Sequence, residues 1–228
     1  MRQLVLDLPV EPRFGADDFL VSPSNEEAYS VIERWPDWPS PLLHLRGPAG
    51  AGKSHLAAIW AERAGAATLK AADVTDDAGE ALARAPAIVL EDLDAGPLAE
   101  GALFHLVNLI RERRAPLLFT SVEAVDRSGI RTPDLLSRLR LAPSVRLQSP
   151  DDALLKAVLV KLFVDRQLVV DTSVVDYIAN RIERSLACAA EIVAALDREA
   201  LSRGRRITRP VAAALLLDDE VPARSDET

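Results

Sequence analysis

Between the short apolar run "PLLHLR" and the alanine-rich run "HLAAIWAERAG" lies GPAGAGKS, residues 47–54. It matches GxxxxGK[ST] at every fixed position, with a strand pattern before it and a helix pattern after it. Glycines let successive backbone N–H groups turn inward on phosphate oxygens, and the positive end of the following helix adds to that field. Gly47, Pro48, Ala49, Gly50, Ala51 and Gly52 would form the cradle. Lys53 would reach the β/γ-phosphates of a nucleotide, and the Ser54 hydroxyl would ligate Mg2+. A glycine-rich turn that merely opens a helix is the plainer alternative, and the flanking strand and helix patterns speak against it.

A phosphate loop in this setting implies further strands. "ATLKAADV", "AIVLEDLD", "PLLFTS" and "SVRLQS" read as strands, separated by helical runs at "TDDAGEALARAP", "AEGALFHLVNLIRERRA" and "TPDLLSRLRL". Leu103, Leu106, Val107 and Ile110 share one helix face. Ahead of the loop, a helix is expected from about Ser24, as N-cap, with Glu27 three residues on. From Pro150 the strand patterns stop, and four helical runs follow. The fold expected is α/β, a parallel sheet between helices, followed by a small all-helical lid domain. The divisions are residues 1–10 as an extended tail, 11–150 as the α/β domain, 151–218 as the helical domain and 219–228 as a polar end.

A nucleotide site needs an acid at the end of a buried strand to hold Mg2+ and orient water. Ile88-Val89-Leu90 followed by Glu91-Asp92 supplies it, and Asp94 lies one step further along the alternation. Thr120 and Ser121 end the next strand, where a hydroxyl could face the γ-phosphate. Arg138, in "LLSRLRL", is either an ordinary surface ion pair or a guanidinium that reaches into a neighbour's nucleotide site.

Composition bounds the partners. The net charge is −8, which argues against nucleic acid as the main partner, since such binders neutralise phosphates with a basic face. A local basic cluster, Arg203, Arg205, Arg206 and Arg209, reads first as a solvated helix end and second as a phosphate contact. No apolar run approaches the ~20 residues of a membrane span. There is no basic start or cleavage site of a secretory signal, and the single Cys188 permits no internal disulfide. A cytoplasmic protein with no membrane partner is expected. Cys188, among alanines, reads as a small buried filler.

The first ten residues, MRQLVLDLPV, alternate Leu4, Leu6 and Leu8 after Gln3. That is a strand with one apolar face, which either joins the chain's own sheet or docks on another protein.

Taken together these segments resemble AAA+ ATPases of the DnaA initiator clade, and within it most closely the short homologues of the Hda family. "FLVSPSN" resembles the segment that cradles adenine, which implicates Phe19 and Val21. "GKSHL" is similar to the clade's GK[ST]HL and adds His55. "LFHLVN" resembles the helix after the Walker B strand, and "LLSRL" the box of the arginine finger, which falls on Arg138. The resemblance spans about Asp17 to Leu217. It implies ADP or ATP with Mg2+ as cofactors. It implies a QLxLxL tail, here Gln3, Leu4, Leu6 and Leu8, that binds the β sliding clamp. It further implies contact with DnaA, completion of DnaA's ATP site in trans by Arg138, and so inhibition of replication initiation near the replisome and nucleoid. DNA is then an indirect or weak partner, and a homo-oligomer is possible.

Several positions depart from that pattern. The Walker B pair is Glu91-Asp92 instead of two Asp, Val122 stands at the sensor I Asp, and the sensor II arginine falls near Ala187, with Arg184 about one turn away. Weak intrinsic ATPase activity is therefore expected. The alternatives are a helicase loader of the DnaC or IstB kind, a small-molecule P-loop kinase, and a clamp-bound adaptor that does not hydrolyse nucleotide.

Overall fold

The computed structural model describes residues 15, 18–77, 82, 84–203 and 206–218. The tail with Gln3, Leu4, Leu6 and Leu8, the polar end 219–228, Arg205 and most of the helix expected before Pro86 lie outside the described residues. The described chain divides into two units, one running to Gln148 and one from Ser149 onward.

The first unit alternates strand and helix. In chain order the elements are α1 (Glu26–Glu33), β1 (Leu42–Arg46), α2 (Lys53–Ala64), β2 (Ala66–Lys70), β3 (Ala87–Glu91), α3 (Glu100–Arg113), β4 (Leu117–Ser121), α4 (Pro133–Leu139) and β5 (Ser144–Arg146). The strands lie in the order β2-β3-β4-β1-β5, and every pair is parallel. Ala87–Leu90 of β3 and Leu117–Phe119 of β4 are buried apolar runs, and β1 is buried from Leu42 to Leu45 around His44, as strands covered on both faces must be. One face of the sheet packs on α3 through Leu103, Leu106, Val107 and Ile110, the stripe expected from spacing. The other packs on α1 and α2 through Ile32, Leu56, Ile59 and Trp60. The chain leaves β1 toward β2 on one side, and leaves β4 toward β5 on the other. This reversal opens a crevice at the carboxyl ends of β1 and β4, where open α/β sheets bind ligands. An apolar cleft between α1, Trp38, Leu42 and Pro143 lies at the opposite, amino end of β1.

The start of α1 differs from the sequence expectation. Asn25, not Ser24, is the N-cap, and no side chain caps the helix. The Asn25 Oδ1 accepts from Ser22 N–H at 2.8 Å, and its Nδ2 donates to Leu20 O at 2.9 Å. The Ser24 hydroxyl sits 2.7 Å from that of Ser22. These polar side chains fold the preceding loop, which competes with capping.

The second unit is helical: α5 (Asp152–Asp165), α6 (Thr172–Ala179), α7 (Leu186–Arg203) and α8 (Arg209–Asp218). Asp151 and Asp171 cap α5 and α6 by accepting N–H groups of Leu154 and Ser173. The core joins Leu155, Leu159, Phe163, Ile178, Ile192 and Leu196. Cys188 is buried in it, and burial raises its thiol pKa, so it is the inert filler expected. Among the described residues no helix is long and apolar enough to cross a membrane.

Candidate nucleotide site and arginine element

The loop after β1 is shaped by close approach. A Cβ on Gly47 would stand 2.4 Å from the Leu147 carbonyl oxygen, so only glycine fits beside the exit of β5. Gly50 and Gly52 have φ of 70° and 99°, and Gly52 is the left-handed N-cap of α2. Lys53 begins that helix and is buried, with its ammonium 2.8 Å from Gly47 O and 3.0 Å from Pro48 O. The cation is thereby held inside the loop's own curve. Burial lowers its pKa, while Asp92, Asp94 and Glu91 oppose the shift, which places those acids across from it. Ser54 is exposed at the first turn of α2, and Ala51 is buried beneath the loop.

The aromatic side chains of the first segment gather beside α2. Phe19 stacks on Tyr29 at 5.4 Å and meets His55 edge-on at 5.2 Å. The His55 Nε2 donates to Gly15 O at 3.1 Å. Val21 is 49% exposed. Phe19 and His55 thus come together near the phosphate loop, while Val21 stands out into solvent.

The acidic edge is tied to the end of β4. Asp92 takes a left-handed conformation, φ 59°, and its N–H donates to the Thr120 hydroxyl at 2.9 Å. Thr120 is wholly buried, and its hydroxyl oxygen accepts this N–H. Asp94 accepts from Val122 N–H and Glu123 N–H at 2.9 and 2.8 Å. The Ser121 hydroxyl donates to Glu123 O. That leaves the His44 Nε2, 2.6 Å away, as donor to the Ser121 oxygen. Burial, with Arg46 nearby, depresses the His44 pKa to about 4, and its ring stacks on Phe119 at 4.6 Å. Sequence reasoning missed His44 and left Asp94 without a role. Their partners lie tens of residues away, and only a strand order that places β1 and β3 either side of β4 brings them together. Val122, at the sensor I position, is 46% exposed.

The two arginines of "LLSRLRL" separate clearly. Arg140 donates to Asp126 through Nε at 2.6 Å and through Nη2, so it is the surface ion pair. Arg138 has no carboxylate partner among the described residues, and its guanidinium lies 4.4 Å over the Phe104 ring of α3. Glu100, also on α3, accepts Arg131 N–H and Thr132 N–H at 2.9 and 2.7 Å. The hydrogen bonds to Thr132 and Arg131 lower the Glu100 pKa. α3 therefore fixes α4 twice, through Glu100 at its start and through Phe104 beneath Arg138. Elsewhere, Arg184 pairs with Asp152 at 3.0 Å within the helical unit, and Ala187 is exposed.

Residues 152–216 match the family model of the Hda lid domain. Domain III of the Thermotoga maritima initiation protein DnaA superposes with a TM-score of 0.78 at 17% identity, covering 92% of this chain and 98% of that one. AMPPCP-bound DnaA from Aquifex aeolicus gives 0.67 at 18%, covering 85% and 67%. The fold is that of a DnaA-like AAA+ protein resembling Hda. The RuvB Holliday junction branch migration motor of Thermotoga maritima also superposes, at 0.67 and 16%, covering 90% and 72%. Fold likeness at such identity carries architecture and not activity. No curated protein sequence matches the chain. The likeness to Hda thus rests on residues 152–216.

Proposed function

We propose that this Hda-like protein is a negative regulator of replication initiation that stimulates hydrolysis of DnaA-bound ATP through Arg138. The observation that carries the reading is the contrast between Arg138 and Arg140. Of the two, Arg138 has no carboxylate partner among the described residues, and it is held over Phe104 on a short helix whose N-terminal approach is braced by Glu100. A planar cation kept in place and unpaired can stabilise charge on a phosphoryl group in transfer.

The residues present fit a nucleotide. A cradle that admits no Cβ at Gly47, a buried lysine and a helix start converge at the crevice of the sheet. ADP or ATP would lie on Gly47–Ser54, with its base beside Phe19 and His55. When bound, Mg2+ would be shared between phosphate oxygens and Ser54, with Glu91 and Asp92 behind it. An ion there would be held chiefly through substrate phosphates. In this reading Gln3, Leu4, Leu6 and Leu8 dock on the β sliding clamp, and DnaA meets the face that carries Arg138.

The exposed Val122 and the self-contained Arg184–Asp152 pair favour a second reading, an adaptor on the clamp that does not hydrolyse nucleotide. One assay separates them. DnaA loaded with labelled ATP is incubated with this protein and with clamps loaded on DNA, and ADP is quantified. The wild type should convert DnaA to its ADP form, and Arg138→Ala should lose that stimulation while keeping its unfolding midpoint and nucleotide affinity. Unchanged conversion by Arg138→Ala would refute the finger, and absence of conversion by the wild type would leave the adaptor.

A further inference from the structure

The basic cluster near the end of the chain is not absorbed by the reading above. In the helical unit the Tyr177 ring, on α6, carries two guanidiniums. Arg181 lies 3.8 Å from its centroid and Arg209, at the start of α8, lies 4.9 Å from it. Arg181 spends one N–H on the Tyr177 carbonyl, at 3.3 Å. Neither arginine pairs with a carboxylate among the described residues. The neighbouring acids are committed elsewhere: Asp176 to Lys156 at 2.6 Å, Asp171 to Ser173 N–H and Asp152 to Arg184. Arg206, close by in sequence, is exposed as well.

Stacking alone would explain a ring clamped between α6 and α8. It does not explain why both forks stand without a carboxylate partner among the described residues of an acidic chain. A guanidinium has five N–H donors, and a ring that fixes its plane leaves most of them presented to solvent at little entropic cost. Two such forks on one ring are close enough to serve adjacent phosphates.

We infer that the Tyr177–Arg181–Arg209 surface of the helical unit is a sequence-independent contact for the phosphate backbone of duplex DNA. Base recognition is disfavoured because two arginines already occupy the Tyr177 ring, against which an unpaired base would otherwise stack. The contact therefore positions and does not specify. With few phosphates engaged and a net charge of −8 on the chain, binding is weak and confined to low salt. This inference does not depend on Arg138.

The test is fluorescence anisotropy of a labelled mixed-sequence duplex titrated with the full chain over a range of salt. Wild type should bind at low salt, with a duplex preferred to the matching single strand. Arg181→Gln with Arg209→Gln should weaken binding about tenfold, and the slope of log K against log salt should shrink by about 2, or ~0.9 per phosphate lost. Arg209→Gln alone, at an exposed site, should shrink it by about 1 and guards against misfolding of the double variant. Arg111→Gln with Arg113→Gln, on the far end of α3, changes the charge equally and should leave the slope intact. No binding by the wild type, an equal loss in the α3 variant, preference for the single strand, or equal displacement by polyglutamate at matched charge would each overturn the assignment.

Discussion

The phosphate loop and the arginine-bearing helix α4 sit on the same unit, yet they are held in different ways. The loop is fixed by backbone. Gly47 lies against the Leu147 carbonyl, Gly50 and Gly52 supply left-handed turns, and Lys53 is buried on the loop's own carbonyls. α4 is fixed by side chains reaching from α3, Glu100 to the N–H groups of Arg131 and Thr132 just before it and Phe104 beneath Arg138. A site that must receive a ligand in one geometry has no slack to give. An element that presents a side chain to a partner can be docked at two points and still adjust.

The sharpest way to break this contrast is Gly47→Ala. Its methyl carbon would fall 2.4 Å from a backbone oxygen that cannot swing aside. Strand β5 or the loop must shift, which costs about 3 kcal/mol by the scale of overpacked interiors. Urea unfolding should show that loss, and nucleotide affinity should fall with it. A variant as stable as wild type would mean that the loop is as adjustable as α4.

A second test falls on the network beneath both elements. The unfolded His44 has an ordinary pKa near 6.5, and burial depresses it to about 4 in the folded protein. Between those values the unfolded chain binds more protons, so stability declines as pH falls from 6.5 toward 4, by up to about 3 kcal/mol. His44→Gln should flatten that part of the profile, at some loss of stability at neutral pH. Urea midpoints at pH 7 and pH 4.5 measure both, and an unchanged slope would remove His44 from the acid response.

Asp94→Ala should have an intermediate effect. It frees the Val122 and Glu123 N–H groups where β4 leaves the sheet. Those groups are partly open to water, so the loss should be about 1–2 kcal/mol. Exchange of the two amides should quicken by at least tenfold. If it does not, the β4 exit is held by Ser121 and His44 without Asp94.

These contacts also show what a sequence can disclose. The strands, the phosphate loop and the helical unit were legible because each is written in contiguous residues: apolar runs, fixed glycines and heptad-like stripes. Whether Arg138 forms an ordinary surface ion pair was not legible, because the ion pair of this helix, Arg140 with Asp126, forms only when the turn after β4 folds back. Ser24 misled because Ser and Asn serve loops and caps by the same hydrogen bonds. The hydrogen bond from Asp92 N–H to Thr120 was not legible either, because it needs the left-handed backbone at Asp92.

The smallest predicted effect tests the comparison from the permissive side. Gly101 is the second residue of α3, directly after Glu100, and a Cβ built there meets nothing within 4 Å. Unlike Gly47 it has neither a close neighbour nor a left-handed backbone that requires glycine. Alanine at this position restricts the unfolded chain and favours the helix, so Gly101→Ala should stabilise by roughly 0.5 kcal/mol. Any change it makes at the start of α3 reaches Arg138 through α4 or through Phe104 beneath it. A melting temperature raised by a degree or two with nucleotide affinity unaltered would confirm that the two elements respond separately. A fall in either would show that the start of α3 is constrained by more than the contacts of Glu100.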